Sequence, residues 1–461
     1  MKVKTIARSA DTYVPARNTQ ESALPRNLNP ALHPFERARE YTRAVTATKL
    51  ERMFAKPFVG QLGDGHRDGI YQIARNFNTT NQVASASGDG VVKYWNMTSR
   101  EEALSFRAHY GMVTGLSITP RRGLLSCGED KAIKLWSLES SDFGDEVDDL
   151  DVYRSSNNES GLIKTFAGEH AFKGLDHHFT DDIFATGGAS IQLWNMARSN
   201  YVLNMSWGAD NINSVKFNRT ETNVLASCGS DNSIVLYDIR TNSPVQKVVT
   251  ALRANAISWN PMEAYHFASG HEDHNAYLWD MRDLTKSLNV YKDHVSAITD
   301  LDFSPTGQEL VTGSYDKTIR IFRARDGHSR DVYHTKRMQH IFSVCFTTDS
   351  RYILSGSDDA NVRLWRAKAS ERSNIKSAKE RAKLDYDQKL KDRYKFMPEI
   401  RRISRHRHLP GVVKKAQQIK RVEIESLQRR EDNDRRHSKE GSKPRIPERK
   451  KHIRGTAIRE E

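Results

Sequence analysis

Cysteine is almost missing from this chain, with only Cys127, Cys228 and Cys345 among 461 residues. They form no CxxC pair and no Cys/His spacing of the kind that holds zinc, which excludes a metal finger and a disulfide scaffold. Each lies in an apolar stretch and reads as a small buried hydrophobe in a reducing compartment. Long apolar runs are missing too. Nothing approaches the roughly eighteen consecutive apolar residues of a membrane-spanning helix. The opening MKVKTIARSADTYVPARN has no apolar core of signal-peptide length. A soluble intracellular protein is expected, without a membrane partner. No GxxxxGK[ST] phosphate loop and no GxSxG nucleophile elbow occurs, so neither nucleotide hydrolysis nor esterase chemistry has a foothold. No cofactor, metal, small-molecule substrate or enzymatic activity is expected.

What is present is charge, unevenly placed. The formal net charge is +14. Residues 1–59 hold 11 Lys and Arg against 5 Asp and Glu, and residues 367–461 hold 30 against 15. The stretch between them, with 31 against 38, is acidic. An acidic body with two basic extensions points to an anionic partner met mainly through the ends.

The middle is repetitive, and a repeat at this period sets the architecture. Seven aromatics, Trp95, Trp136, Trp194, Tyr237, Trp279, Phe322 and Trp365, follow one another at spacings of 41, 58, 43, 42, 43 and 43. Six residues before six of them stands an aspartate: Asp89, Asp130, Asp231, Asp273, Asp316 and Asp359. Four residues earlier comes Ser85, Ser126, Ser227, Ser269, Thr312 or Ser355. Units open with His66, His109 and His294, and His170 reads as a fourth. Short β-branched runs such as VVKYW and TIRIF between Gly/Ser/Asp turns predict strands and hairpins. An aspartate in the tight turn can bond local backbone donors and reach a histidine ring, which can engage the Ser or Thr hydroxyl beside the aromatic. The trio looks like a hydrolase triad, but it recurs from unit to unit, so it is read as a blade-stabilising network. These features resemble the WD-repeat family, and the resemblance implies an all-β, seven-bladed propeller over residues 58–366.

Departures from the pattern are informative. Unit three reads FATGGASIQLW, one residue short at the turn and without the aspartate. Unit four offers Asp210 where a histidine is expected, and unit five has no clear histidine. KPFVGQL (56–62) has no blade before it and is expected to complete the seventh blade after Trp365, protecting an open edge. The long spacing before Trp194 holds an acidic insertion, 139–160, readable as a solvated loop or as a docking loop for a basic protein.

After Trp365 the pattern turns helical. Ala378, Ala382, Tyr386, Leu390 and Tyr394 form one stripe, Pro398 interrupts it, and Arg401, Arg402, Arg405, His406, Arg407 and His408 crowd the next ten residues. The flanking arginines disfavour a metal at the two histidines. A second helix is predicted from Val412 to about Arg430, with Val412, Ala416, Ile419 and Leu427 on one side and Lys414, Lys415, Lys420 and Arg421 among its cations. The end, RRHSKEGSKPRIPERKKHIRG, is expected to stay extended or without fixed structure until bound. At the other terminus, the arm 1–57 carries a short helix on which Phe35, Ala38, Tyr41 and Val45 share a face opposite Arg37, Arg39 and Arg43. Three readings of the extension 367–461 stand together: a nuclear import signal at KPRIPERKKH, helices docked on a protein, and phosphate-backbone contact. Tyr386, Tyr394 and Phe396 could stack on bases, although their helical spacing favours packing.

NLNPALHPFERAREYTRA and ATKLERMFAKPF in front, with MPEIRRISRHRHLP behind, resemble the fibrillarin-suppressor subfamily of WD-repeat proteins over nearly the whole chain. The resemblance implies a nuclear, nucleolar scaffold in ribosome biogenesis: a component of the small-subunit processome associated with the box C/D snoRNP. Pre-rRNA or snoRNA and the processome proteins would be its partners. The acidic propeller suits protein partners, and the basic ends suit RNA. A different class of function, substrate receptor of a cullin-4 ubiquitin ligase, is suggested by the WDxR-type blade end Trp279-Asp280-Met281-Arg282 and the related Tyr237-Asp238-Ile239-Arg240. The two roles are compatible.

Overall fold

The Ser/Asp turn that marks each repeat is where the fold is built. In a computed structural model that describes residues 29–32, 34–120, 123–138, 161–208, 211–371, 376–439 and 442–458, the residue after each repeat aspartate is left-handed: Gly90, Lys131, Asn232, His274, Lys317 and Ala360. An L side chain there costs on the order of 1 kcal/mol. The aspartate offsets it by accepting from the amide two residues on, as in Val91, Ala132, Ser233, Asn275 and Thr318. The strand before the turn is buried along nearly its whole length, as in Gly123–Gly128. The strand after it alternates, as in Ala132–Ser137.

Among the described residues seven antiparallel sheets form, six of four strands and one of five. Each blade's first strand, from Ile70–Arg75 to Ile341–Phe346, faces the channel and pairs outward with the next strands in order. Phe58–Gln61 pairs with Val362–Arg366, placing Phe58 opposite Trp365, so the seventh blade is closed by the strand that precedes the first. Leu62, directly after it, is fully buried. The extra strand, Ile453–Ile458, pairs with the outer strand Ser243–Thr250 of the fourth blade. The expected insertion 139–160, Asp210 and residues 1–28 lie outside the described residues.

The described residues divide into two units, Phe58–Ala367 with His408–Glu461 and Met1–Pro57 with Lys368–Arg407. The second is helical. Helix α1 (Glu36–Met53) meets α2 (Ala378–Arg393) and α3 (Pro398–Arg405) around buried Ala44, Val45, Leu390 and Ile400, with Tyr41, Tyr386, Tyr394 and Ile403 at the margin. Ser377 and Glu380 cap α2 reciprocally. Pro398 does not merely break the pattern: it opens α3, because a first-turn position needs no amide donor.

Three expectations need correction. Phe35 does not share the packed face of α1. It caps the helix in a left-handed conformation and is 80% exposed, while Ala44 and Thr48 occupy the core side. The second tail helix, α4, runs Gly411–Arg436, and its buried apolar residue is Val413; Val412, Ile419 and Leu427 face outward. The chain's end is folded: α5 (Glu448–Lys451) leads into Ile453–Ile458, because the fourth blade's outer strand offers unpaired backbone groups that this segment satisfies.

Candidate interaction surfaces

The recurrent polar groups come together inside the blades. In the second blade Ser126 Oγ lies 2.8 Å from His109 Nε2 and accepts from Trp136 Nε1 at 3.1 Å, and Asp130 takes His109 Nδ1 at 2.9 Å. In the sixth, Asp316, His294 and Thr312 repeat the chain at 2.9 and 2.7 Å. Burial alone would raise the Asp316 pKa, but His294 and its hydrogen bond outweigh that and hold the carboxyl well below the usual carboxylate range.

Elsewhere the set is incomplete. His66 meets Ser85 at 2.6 Å, and Ser85 takes Trp95, yet no bond joins His66 to Asp89. Burial, aided by Lys93, pushes the His66 pKa down to about 4. Asp359 binds Arg363 and Ser357 in place of a histidine. His170 is exposed. Unit five does have a histidine, His271, on the strand itself, 2.8 Å from Ser269. Its place two residues after Ser269 was the only clue in the sequence. His66, His109, His271 and His294 are buried inside their own blades, which suits structural support.

The cationic residues of the ends fall on two surfaces, one per unit. On α3, Arg401, Arg402 and Arg405 are exposed and have no acidic partner among the described residues, while Ile400 on the opposite side is buried. His406 is exposed as well, and Arg407 donates to the Ser404 carbonyl. In the same unit Arg37 and Arg39 are exposed, whereas Arg43 donates to Tyr386 Oη at 3.2 Å. Tyr394 Oη and Arg393 both reach Glu40, each at 2.9 Å. Tyr386 and Tyr394 are thus engaged in packing, and Phe396 is 84% exposed. In the propeller unit, Lys414, Lys415 and Arg421 stand exposed on α4, but Lys420 donates to the His294 carbonyl at 2.8 Å.

The chain end is held by more than its strand. His452 stacks on Tyr277 at 3.6 Å between ring centroids and meets Trp279 edge-on. Burial, then His271, pushes its pKa down to about 4. Ser287 N donates to the Arg449 carbonyl at 3.1 Å, and Lys451 pairs with Glu431 on α4 at 2.8 Å. Sequence reasoning missed His452 because it sits inside a basic string that reads as solvated.

Of the WDxR-type end, Trp279 is fully buried and donates to Ser269, so it belongs to the core. Asp280 and Arg282 pair at 2.8 Å, and the Arg282 guanidinium lies 4.4 Å from the Tyr265 ring, half in solvent. Asp238 and Arg240 form the same pair at 3.3 Å.

Comparison with known proteins matches residues 58–96, 100–137, 201–238, 285–323 and 327–366 to the WD domain, G-beta repeat, and residues 367–453 to the Sof1-like domain. The chain is 62% identical to Protein SOF1 of Saccharomyces cerevisiae over 99% of its own length and 95% of that protein. It belongs to the Sof1-like family of WD-repeat proteins. Other Sof1-like relatives carry a different name. DDB1- and CUL4-associated factor 13 of Xenopus laevis is 46% identical and that of Homo sapiens 45%, each covering 98% of this chain and 99% of the relative. The Sof1-like match spans α2 to His452 and its neighbour, so it takes in helices of both units. The two units that the WD pattern passes over hold the blade without its aspartate and the blade whose histidine is His271.

Proposed function

We propose that this Sof1-like protein is a non-catalytic, nuclear and nucleolar scaffold of ribosome biogenesis, assembling small-subunit processome and box C/D snoRNP proteins on pre-rRNA. The observation that carries the reading is the face of α3. Arg401, Arg402 and Arg405 are three exposed guanidinium groups left without acidic partners among the described residues, on a helix anchored by Ile400. Fixed cations of this kind gain by displacing counterions from a phosphate backbone. The propeller, with 38 acidic against 31 basic residues over 60–366, is the part suited to protein partners. On this division RNA is met through the helical extension and proteins through the blades.

A second reading has its own support. Relatives 45–46% identical are named as associated with DDB1 and CUL4, and Arg282 stands at a blade rim where a partner could reach it. A substrate-receptor role would coexist with the scaffold role.

One experiment addresses both. Arg401→Glu/Arg402→Glu/Arg405→Glu is expected to lose most crosslinking to pre-rRNA in cells, with an unchanged melting temperature. In vitro it should flatten the dependence of affinity on salt by about two ion equivalents, at about 0.7 per phosphate contact with single strands. Arg282→Ala is expected to keep crosslinking and lose co-purification of the ligase adaptor. RNA binding by the triple variant equal to the parent's would refute the assignment to α3.

A further inference from the structure

The propeller channel ends, on one side, in the turns that join each blade's first and second strands. Those of the first four blades carry Phe77, Pro120, Phe179 and Arg219. There the channel holds a cavity of about 170 Å³ and, beside it, a smaller one of about 80 Å³, both lined by Phe77 and Arg219. The Arg219 guanidinium carbon lies over the Phe77 ring, 3.4 Å from its centroid, and 6.0 Å from the centroid of half-exposed Phe179. Burial and the nearby Arg75 push its pKa down to about 10. A guanidinium in such surroundings is partly dehydrated and gains from an anion.

Each neighbouring carboxylate is already engaged. Asp302 binds Arg75 at 2.8 Å. Asp300 accepts from Val344 N at 2.8 Å and Ser343 Oγ at 3.0 Å. Asp176 accepts from Phe217 N at 2.8 Å and faces Lys216 at 3.5 Å. Arg219 has no hydrogen-bond or ion-pair partner among the described residues, and neither has the exposed Lys173 ammonium at the cavity wall.

We infer that this end of the channel is a receptor for a carboxylate side chain presented by an acidic segment of a protein partner, with Arg219 as its bidentate donor and the phenyl rings of Phe77 and Phe179 as its walls. A planar fork held over the Phe77 ring suits a carboxylate, with little side-chain entropy left to lose on binding. The smaller cavity has the dimensions of a side chain. A phosphodiester strand fits less well, because it would draw successive charges past Asp176, Asp300 and Asp302. The site does not depend on the RNA reading of the tail, which concerns α3.

The test uses the full chain and a fluorescein-labelled peptide, Gly-Ser-Glu-Asp-Glu-Ser-Gly, followed by polarisation. Saturable binding is expected, weakened roughly tenfold or more in Arg219→Gln, the size of a lost charge-assisted pair. Arg198→Gln, at an exposed outer turn of the third blade, should bind as the parent does. Should Arg219→Gln melt below the parent, Arg219→Lys is read in its place. It keeps the charge without the fork and is expected to bind several-fold more weakly. The inference is overturned by a parent that shows no saturable binding, by equal affinity of the parent and the variant read, or by an eight-residue oligouridylate displacing the peptide more effectively than unlabelled peptide does.

Discussion

At the scale of single residues, one hydroxyl serves both a histidine ring and an indole in three blades, through Ser85, Ser126 and Ser269. Ser126 serves two side chains, the His109 ring and the Trp136 indole, whereas Thr186 in the third blade serves one, the Trp194 indole at 2.9 Å, and donates at the long distance of 3.5 Å to the Gln192 carbonyl. Removing Ser126 strands two buried polar side-chain groups, and removing the Thr186 hydroxyl strands one. Each stranded group costs about 1–3 kcal/mol. Ser126→Ala is therefore expected to lower unfolding free energy by roughly twice as much as Thr186→Val, measured by urea denaturation with an unchanged slope. The repeat aspartate has a more general duty than the histidine contact. It binds the turn amide in five blades and the histidine in two, so the turn explains why it recurs where the histidine does not.

At the scale of elements, the C-terminal strand is a latch whose strength depends on one neutral ring. His452 has a folded pKa near 4 against about 6.5 for an unperturbed histidine. Between those values the unfolded segment binds a proton that the docked one refuses, so docking is strongest above about pH 6.5 and weakens as the pH falls toward 4. The loss is at most about 3 kcal/mol. Proteolytic cutting around residues 442–458 is expected to rise sharply from pH 7 to pH 5. His452→Phe keeps the stack on Tyr277 and removes the titration, so its cutting should not change over that range. A variant as pH-sensitive as the parent would remove His452 as the cause. Within KPRIPERKKH, Lys451 is paired with Glu431 and Glu448 with Lys292, and His452 is the one buried residue of the string.

At the scale of the whole molecule, both ends of the chain return to finish structures begun elsewhere. Deleting residues 1–57 takes Ala44 and Val45 from Leu390 and Ile400, and segment 368–407 is expected to become protease-sensitive while the propeller melts as before. Deleting residues 1–62 also removes the closing strand and buried Leu62, leaving Val362–Arg366 as an open edge. The propeller's own melting, followed by calorimetry, should then fall by several degrees and broaden. Equal melting of the two truncations would count against closure as a stabilising element.

The sequence by itself determined the seven blades, their closure and the uneven charge, because those depend on local turn chemistry and on composition, which are written residue by residue. The period of the aromatics, the aspartates six residues before them and the alternating strands are enough to specify a propeller. The tertiary structure alone decided which cations are free, which face of α4 looks outward and where the basic end lies. Lys420 and Arg401 read alike in the chain, yet one is bonded to a carbonyl and the other has no acidic partner among the described residues. The same holds for Arg219, one arginine in a loop until the channel brings Phe77 beneath it and keeps every nearby carboxylate engaged elsewhere. Pairing, burial and stacking join residues hundreds of positions apart, and no local pattern encodes them.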